Sequence, residues 1–118
     1  VDFKRIPLAA TLGRATKEQA YHITKYLVDS LPQTERDVHL HSNPANWIEK
    51  VDAALQAGCK RFDGALKGIG GCPMADDELV GNMDTELMIP YFKEKNLLNN
   101  LDMEALKNCS MLASNIFV

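Results

Sequence analysis

An α/β fold made of successive strand–helix units is predicted by three observations. Short apolar or alternating segments are each followed by a stretch of helical periodicity, this succession occurs three times, and glycine or proline closes the units. Ile6 to Leu12 is apolar, short and bounded by Gly13, and reads as a buried strand. Thr16 and Gln19 then stand at capping-box spacing, and Ala20, Ile23, Leu27 and Leu31 recur on one helical face until Pro32 ends the pattern. Asp37 to His41 predicts a second strand, with Val38 and Leu40 on one side and His39 and His41 on the other. Ser42 or Asn43 is expected to cap a second helix with Pro44 in its first turn, and Trp47, Val51, Ala54 and Leu55 form its buried stripe up to Gly58. Cys59 to Leu66 predicts a third strand, followed by a segment containing Gly68, Gly70, Gly71 and Gly81. Asp84 is expected to cap a helix running toward Lys95, which Pro90 should kink or delay. Asp102 caps a terminal helix on which Leu106, Cys109, Ala113 and Ile116 share a face.

Strands joined by crossover helices pair in parallel. Three such units are too few for a closed eight-stranded barrel, which takes about 250 residues, whereas this chain has 118. Either the chain is the last three strand–helix units of a barrel, with a terminal helix, or it forms a small open sheet. Residues 1–118 read as one segment, with no linker or repeat. Val1 in place of an initiating Met is expected of a processed or excised piece.

Composition narrows the function. With 13 Lys and Arg against 16 Asp and Glu, the net charge is −3, and no basic run offers a footprint for nucleic acid or anionic lipid. No apolar stretch approaches the roughly 20 residues of a membrane helix. Three cysteines at unrelated spacings, Cys59, Cys72 and Cys109, argue against a disulfide framework and for a reducing, cytoplasmic setting. Cys59 and Cys109 fit packing positions, as do Trp47 and Phe62.

Two patterns carry chemistry. His39 and His41 alternate along a strand, so two imidazoles face the same way from a rigid base at its carboxyl end, where parallel α/β sheets assemble their sites. Gly68-Ile69-Gly70-Gly71-Cys72-Pro73 follows the third strand and places a cysteine between glycine and proline, the accessible setting a catalytic thiol requires. A surface turn with an incidental cysteine is the structural alternative. The Lys and Ser or Thr of a phosphate-binding loop do not follow.

Gly68-Ile69-Gly70-Gly71-Cys72-Pro73, followed by Gly81-Asn82 and Thr85-Glu86, resembles the signature loop of hydroxymethylglutaryl-CoA lyases. Val38-His39-Leu40-His41 resembles the metal-binding strand of that family, and Ile6 to Gly13 the strand before it, in the family's order. The resemblance implies a partial (β/α)8 barrel. It implies Mg2+ or Mn2+ held by His39, His41 and Asn82, Cys72 as the catalytic thiol, and Thr11, Gly70 and Gly71 as substrate contacts. The implied reaction cleaves 3-hydroxy-3-methylglutaryl-CoA to acetyl-CoA and acetoacetate. A ligating Asp and an enolate-stabilising Arg are implied to lie on the first barrel strand, outside this chain. The fragment alone is therefore expected to be inactive, and to associate with the missing portion or with itself through exposed strand edges.

The chain departs from the family at Ala10, where the family has Asp, and at Ser42-Asn43, where it has Asp-Thr. These positions predict altered substrate contacts. They leave two further readings: a related aldolase or lyase acting on a different acyl-CoA or hydroxy acid, and a non-catalytic binding or assembly module.

Overall fold

In a computed structural model of the chain, which describes residues 4–10, 14–70 and 80–117, the strand–helix succession is present. Its elements are β1 (Arg5–Ala10), α1 (Lys17–Ser30), β2 (Glu35–Ser42), α2 (Trp47–Gln56), β3 (Arg61–Phe62), a 3-10 turn at Leu66–Gly68, β4 (Gly81–Asn82), α3 (Thr85–Glu94) and α4 (Met103–Ile116). β2 is the centre of the sheet. It pairs in parallel with β1 from Arg5↔Glu35 to Ala10↔Leu40, and in parallel with β3 at Asp37↔Arg61 and Val38↔Phe62. β4 runs antiparallel to the last residues of the same strand.

Local chemistry sets the helix starts. Thr16 accepts a hydrogen bond from the Gln19 amide while the Gln19 side chain accepts one from the Thr16 amide, closing the expected capping box. Asp84 caps α3 through the Glu86 and Leu87 amides, and Asp102 caps α4 through the Glu104 and Ala105 amides. Each cap satisfies backbone donors that have no partner within the helix.

Several expectations are corrected. α2 begins at Trp47 with Asn46 at its cap position, so Pro44 lies in the preceding turn. That turn closes on itself: Asn43 Oδ1 accepts from the Ala45 and Asn46 amides, and Asn46 Oδ1 accepts from the Asn43 amide. The third strand is two residues long instead of spanning Cys59 to Leu66, because the chain breaks into the 3-10 turn where it meets the backbone of Met83 to Thr85. Pro90 lies inside α3 without delaying its start, since the Asp84 cap fixes that end. Finally, α1 turns Ala20 and Thr24 inward and leaves Ile23 49% exposed, and α4 leaves Cys109 exposed.

The core lies between the sheet and the helices α2 and α3. Val38 and Leu40 meet Val51, Ala54, Cys59, Met83 and Met88, with Trp47, Phe62, Tyr91 and Phe92 packed around them. Full burial of each large aliphatic side chain contributes roughly 1.5–3 kcal/mol. Burial also pushes the Cys59 thiol pKa up, as expected for a packing cysteine rather than a reactive one. A polar lock joins α2 to α3: Asp52 accepts hydrogen bonds from Tyr91 and Gln56 and an ion pair from Lys95 at 3.3 Å, and the Lys95 ammonium sits 5.0 Å from the Tyr91 ring centre.

Two outcomes follow for stability. The Thr24 hydroxyl is buried with no hydrogen-bond partner among the described residues, so Thr24→Val should raise stability by about 1 kcal/mol, read as a higher urea midpoint. The Tyr91 hydrogen bond, aided by Lys95 and Gln56, lowers the Asp52 pKa. A lowered folded-state pKa stabilises at pH above the unfolded carboxylate value of about 3.9, and that contribution is lost as pH falls through the folded value. Urea midpoints from pH 7 to pH 2.5 should therefore fall less steeply at the acid end in Asp52→Asn than in the unsubstituted protein.

Candidate functional site

Alternation along β2 sends Val38 and Leu40 into the core and His39 and His41 to the opposite face. The two imidazoles have ring centres 5.1 Å apart and planes at 77°. His41 is 6% exposed, and its Nδ1 is buried with no hydrogen-bond partner among the described residues. His39 is half-buried, and its Nδ1 lies 3.6 Å from the carboxylate of Asp63, just beyond β3.

Asn82 reaches this face through strand pairing. β4 sets His41 opposite Asn82 and Ser42 opposite Gly81, and directly opposed residues of an antiparallel pair project to the same side of a sheet. The Asn82 amide nitrogen donates to the Ile69 carbonyl at 2.8 Å, and its backbone amide donates to the Gly70 carbonyl at 3.1 Å. With the nitrogen so engaged, the amide oxygen accepts no hydrogen bond among the described residues and is the end left for a ligand.

The glycines permit this approach. Gly70 has φ +91, and a β-carbon there would sit 2.9 Å from Asn82 Nδ2; a β-carbon at Gly81 would sit 2.8 Å from the Gly68 carbonyl oxygen. Gly71, Cys72 and Thr11 lie outside the described residues.

The donor set suits a divalent ion. Imidazole nitrogens suit first-row transition ions and an amide oxygen suits the harder divalent cations, so His39, His41 and Asn82 match Mn2+ well, and the orphaned buried nitrogen of His41 fits a ligand. Among the described residues no group of three or more His, Cys, Asp or Glu side chains is arranged to hold an ion by itself.

Two neighbours, Lys50 and Asp63, were not singled out in the sequence. Lys50 is 3% exposed and donates from Nζ to the His41 carbonyl at 3.3 Å, and burial lowers its pKa. Its signal was position: it stands four residues before Ala54, on the apolar stripe of α2. Asp63 could be found only from the register of β3 against β2. Ser42 is buried and donates to Met83 Sδ at 2.9 Å. Glu86 accepts from the Lys67 amide at 2.8 Å and from the Ser110 hydroxyl. Burial pushes the Glu86 pKa up, but these bonds hold it below the usual carboxylate value, while burial and the nearby Glu86 raise that of Asp84.

A cavity of about 710 Å³ lies between β3 and α3, lined by apolar residues such as Leu55, Phe62, Met88 and Phe92 and by Asp63, the neighbour of His39. A smaller cleft of about 220 Å³ adjoins Asn82 and is bounded by Ser42, Trp47, Lys67, Gly68 and Leu87. No helix among the described residues is long and apolar enough to cross a membrane.

The chain is similar to known proteins in sequence and in fold. The HMGL-like family matches residues 1–112. The chain is 35% identical over 101 residues to (R)-citramalyl-CoA lyase of Chloroflexus aurantiacus, covering 86% of this chain and 32% of that protein. It is 29% identical over 101 residues to a hydroxymethylglutaryl-CoA lyase of Bacillus subtilis, covering 86% and 33%. Among solved structures, an HMG-CoA lyase from Acinetobacter baumannii in complex with coenzyme A and 3-methylmalate superposes with a TM-score of 0.79 at 32% identity, over 94% of this chain and 36% of that one. The HMG-CoA lyase of Bacillus subtilis superposes with a TM-score of 0.82 at 26% identity, over 95% and 37%. The chain thus spans about a third of the length of these relatives, and it folds as part of a (β/α)8 barrel, three βα units with a terminal helix. The parallel strands, the histidine pair at the carboxyl end of the central one and the match over residues 1–112 together place this chain in the HMGL-like family.

Proposed function

We propose that residues 1–118 are one segment, the carboxyl-terminal part of a metal-dependent lyase barrel that cleaves 3-hydroxy-3-methylglutaryl-CoA to acetyl-CoA and acetoacetate. The observation that carries the reading is the meeting of His39, His41 and Asn82 on one sheet face at the carboxyl end of β2. When bound there, Mg2+ or Mn2+ supplies positive charge that polarises hydroxyl and carboxylate oxygens of a substrate. His39 and His41 contribute imidazole nitrogens, and Asn82 its amide oxygen.

The chemistry assigned to the side chains is a retro-Claisen cleavage. A base removes the substrate's hydroxyl proton, the carbon–carbon bond breaks as that carbon becomes a ketone, and the electron pair passes to the departing acetyl-CoA enolate. In this reading Cys72 delivers the proton to that enolate, and Thr11, Gly70 and Gly71 contact the substrate. Lys50 holds the carbonyl of His41 and so fixes the end of the metal strand. The remaining carboxylate ligand and an enolate-stabilising Arg come from barrel units outside this chain, and without those units the segment self-associates through its exposed strand edges. The segment alone is then inactive. Free Cys59 and Cys109 accord with a reducing, cytoplasmic setting.

A second reading has a specific observation behind it. Ser42, at a position where the resemblance implies a carboxylate, carries no charge and donates its hydroxyl to Met83. Together with 35% identity to a citramalyl-CoA lyase, this favours a related lyase acting on a different acyl-CoA or hydroxy acid.

Mn2+ titration monitored by electron paramagnetic resonance, with acetoacetate release measured on the complete barrel, tests these readings. The complete barrel should bind Mn2+ and cleave hydroxymethylglutaryl-CoA. His41→Ala should weaken Mn2+ binding at least about tenfold, as loss of a ligand or its support does. Gly70→Ala should weaken it as well, since its β-carbon displaces the Asn82 amide. Cleavage of citramalyl-CoA instead would select the second reading. Mn2+ binding indifferent to His41, with no lyase activity on either thioester, would leave a non-catalytic binding module.

A further inference from the structure

The segment from Ala65 to Gly70 lies against the segment from Gly81 to Glu86 through a series of backbone bonds. Ala65 donates to the Met83 carbonyl at 2.9 Å, Thr85 donates to the Ala65 carbonyl at 3.0 Å, and Asn82 donates to the Gly70 carbonyl at 3.1 Å. Within this pairing Lys67 adopts φ +58, a left-handed conformation that a residue with a β-carbon seldom takes without support. Gly68 follows at φ +62, and Ile69 then presents its carbonyl to the Asn82 side-chain nitrogen at 2.8 Å.

The support comes from α3. Glu86 Oε2 accepts the Lys67 amide at 2.8 Å, and Oε1 accepts the Ser110 hydroxyl of α4, so both carboxylate oxygens are engaged and the side chain is braced from two directions. Glu86 stands in the first turn of α3, where the helix dipole favours a negative charge, and a bond from an amide to a charged carboxylate is stronger than one to a neutral acceptor. The path runs from Glu86 to the Lys67 turn, to the Ile69 carbonyl, and to the amide of Asn82.

We propose that Glu86 is a positioning residue for metal binding: by holding Lys67 in its left-handed turn, it aims the Ile69 carbonyl at Asn82 and fixes which end of that amide is left for the ion. This inference rests on the reading of His39, His41 and Asn82 as ligands. Glu86 itself does not contact the ion; it acts through Asn82.

The test is a Mn2+ binding cycle with Glu86→Ala, Asn82→Ala and their combination, each checked for folding by circular dichroism. Glu86→Ala should weaken binding about 10- to 100-fold, the usual effect of removing support from a metal ligand. Once Asn82 is gone, the same substitution should cost no more than about threefold, because the two residues act in series. Adding Lys67→Gly to Glu86→Ala should recover most of the loss, since glycine takes the left-handed conformation unaided. Glu86→Asp, one methylene too short to span to Lys67, should reproduce the loss in a protein that keeps its charge, and it decides the matter where the alanine variant does not fold. Losses that multiply independently of Asn82, or no recovery with Lys67→Gly, would overturn the inference while leaving the metal reading intact. Absence of Mn2+ binding to the unsubstituted protein would overturn the metal reading and this inference with it.

Discussion

The short antiparallel pairing of β4 with the carboxyl end of β2 is the contact on which the site depends. It brings Asn82 opposite His41 although the two are far apart in the chain, and it places Met83 in the core beneath Ser42. A two-residue ladder contributes little by itself, because the hydrogen bonds it makes replace bonds to water. It is held by what flanks it. On one side Met83, buried among Val38, Leu40 and Met88, anchors the strand from below. On the other, the bonds of Ala65 and Gly70 to the same segment anchor it along its length.

Close backbone approach explains why glycine recurs here. At Gly70 a positive φ coincides with an approach to Asn82 that leaves no room for a β-carbon, so conformation and packing impose the same residue. Lys67 is the informative exception, since it takes a left-handed turn while carrying a side chain. Its strain is offset by a hydrogen bond from its amide to a carboxylate on a different element, which couples the glycine segment to the start of α3.

The outer layer serves the site by rigidity. Asp52, Tyr91 and Lys95 tie α2 to α3, and both helices back the strand that carries the histidines. Lys50 extends this link inward: it belongs to α2, yet its ammonium reaches the carbonyl of His41. A buried ammonium is costly to desolvate unless hydrogen-bonded, so its burial depends on that bond and the other contacts it makes. Position along the sheet is thereby imposed from the helical layer.

What the sequence by itself determined is what rests on neighbours a few residues apart. The capping box of Thr16 and Gln19, the caps at Asp84 and Asp102 and the opposed faces of β2 all follow from local hydrogen bonds or from the two-residue period of a strand. Family motifs over the same residues added the barrel. Tertiary structure alone decided which face of α1 is buried, where Thr24 displaces Ile23, because the helix is apolar on more than one side and only its neighbours choose between them. It likewise decided the two-residue length of β3, the proximity of Asp63 to His39 and the engagement of Glu86 with Lys67. Each of these joins residues that are distant along the chain, and such pairings are set by packing of whole elements, which no short window of sequence contains.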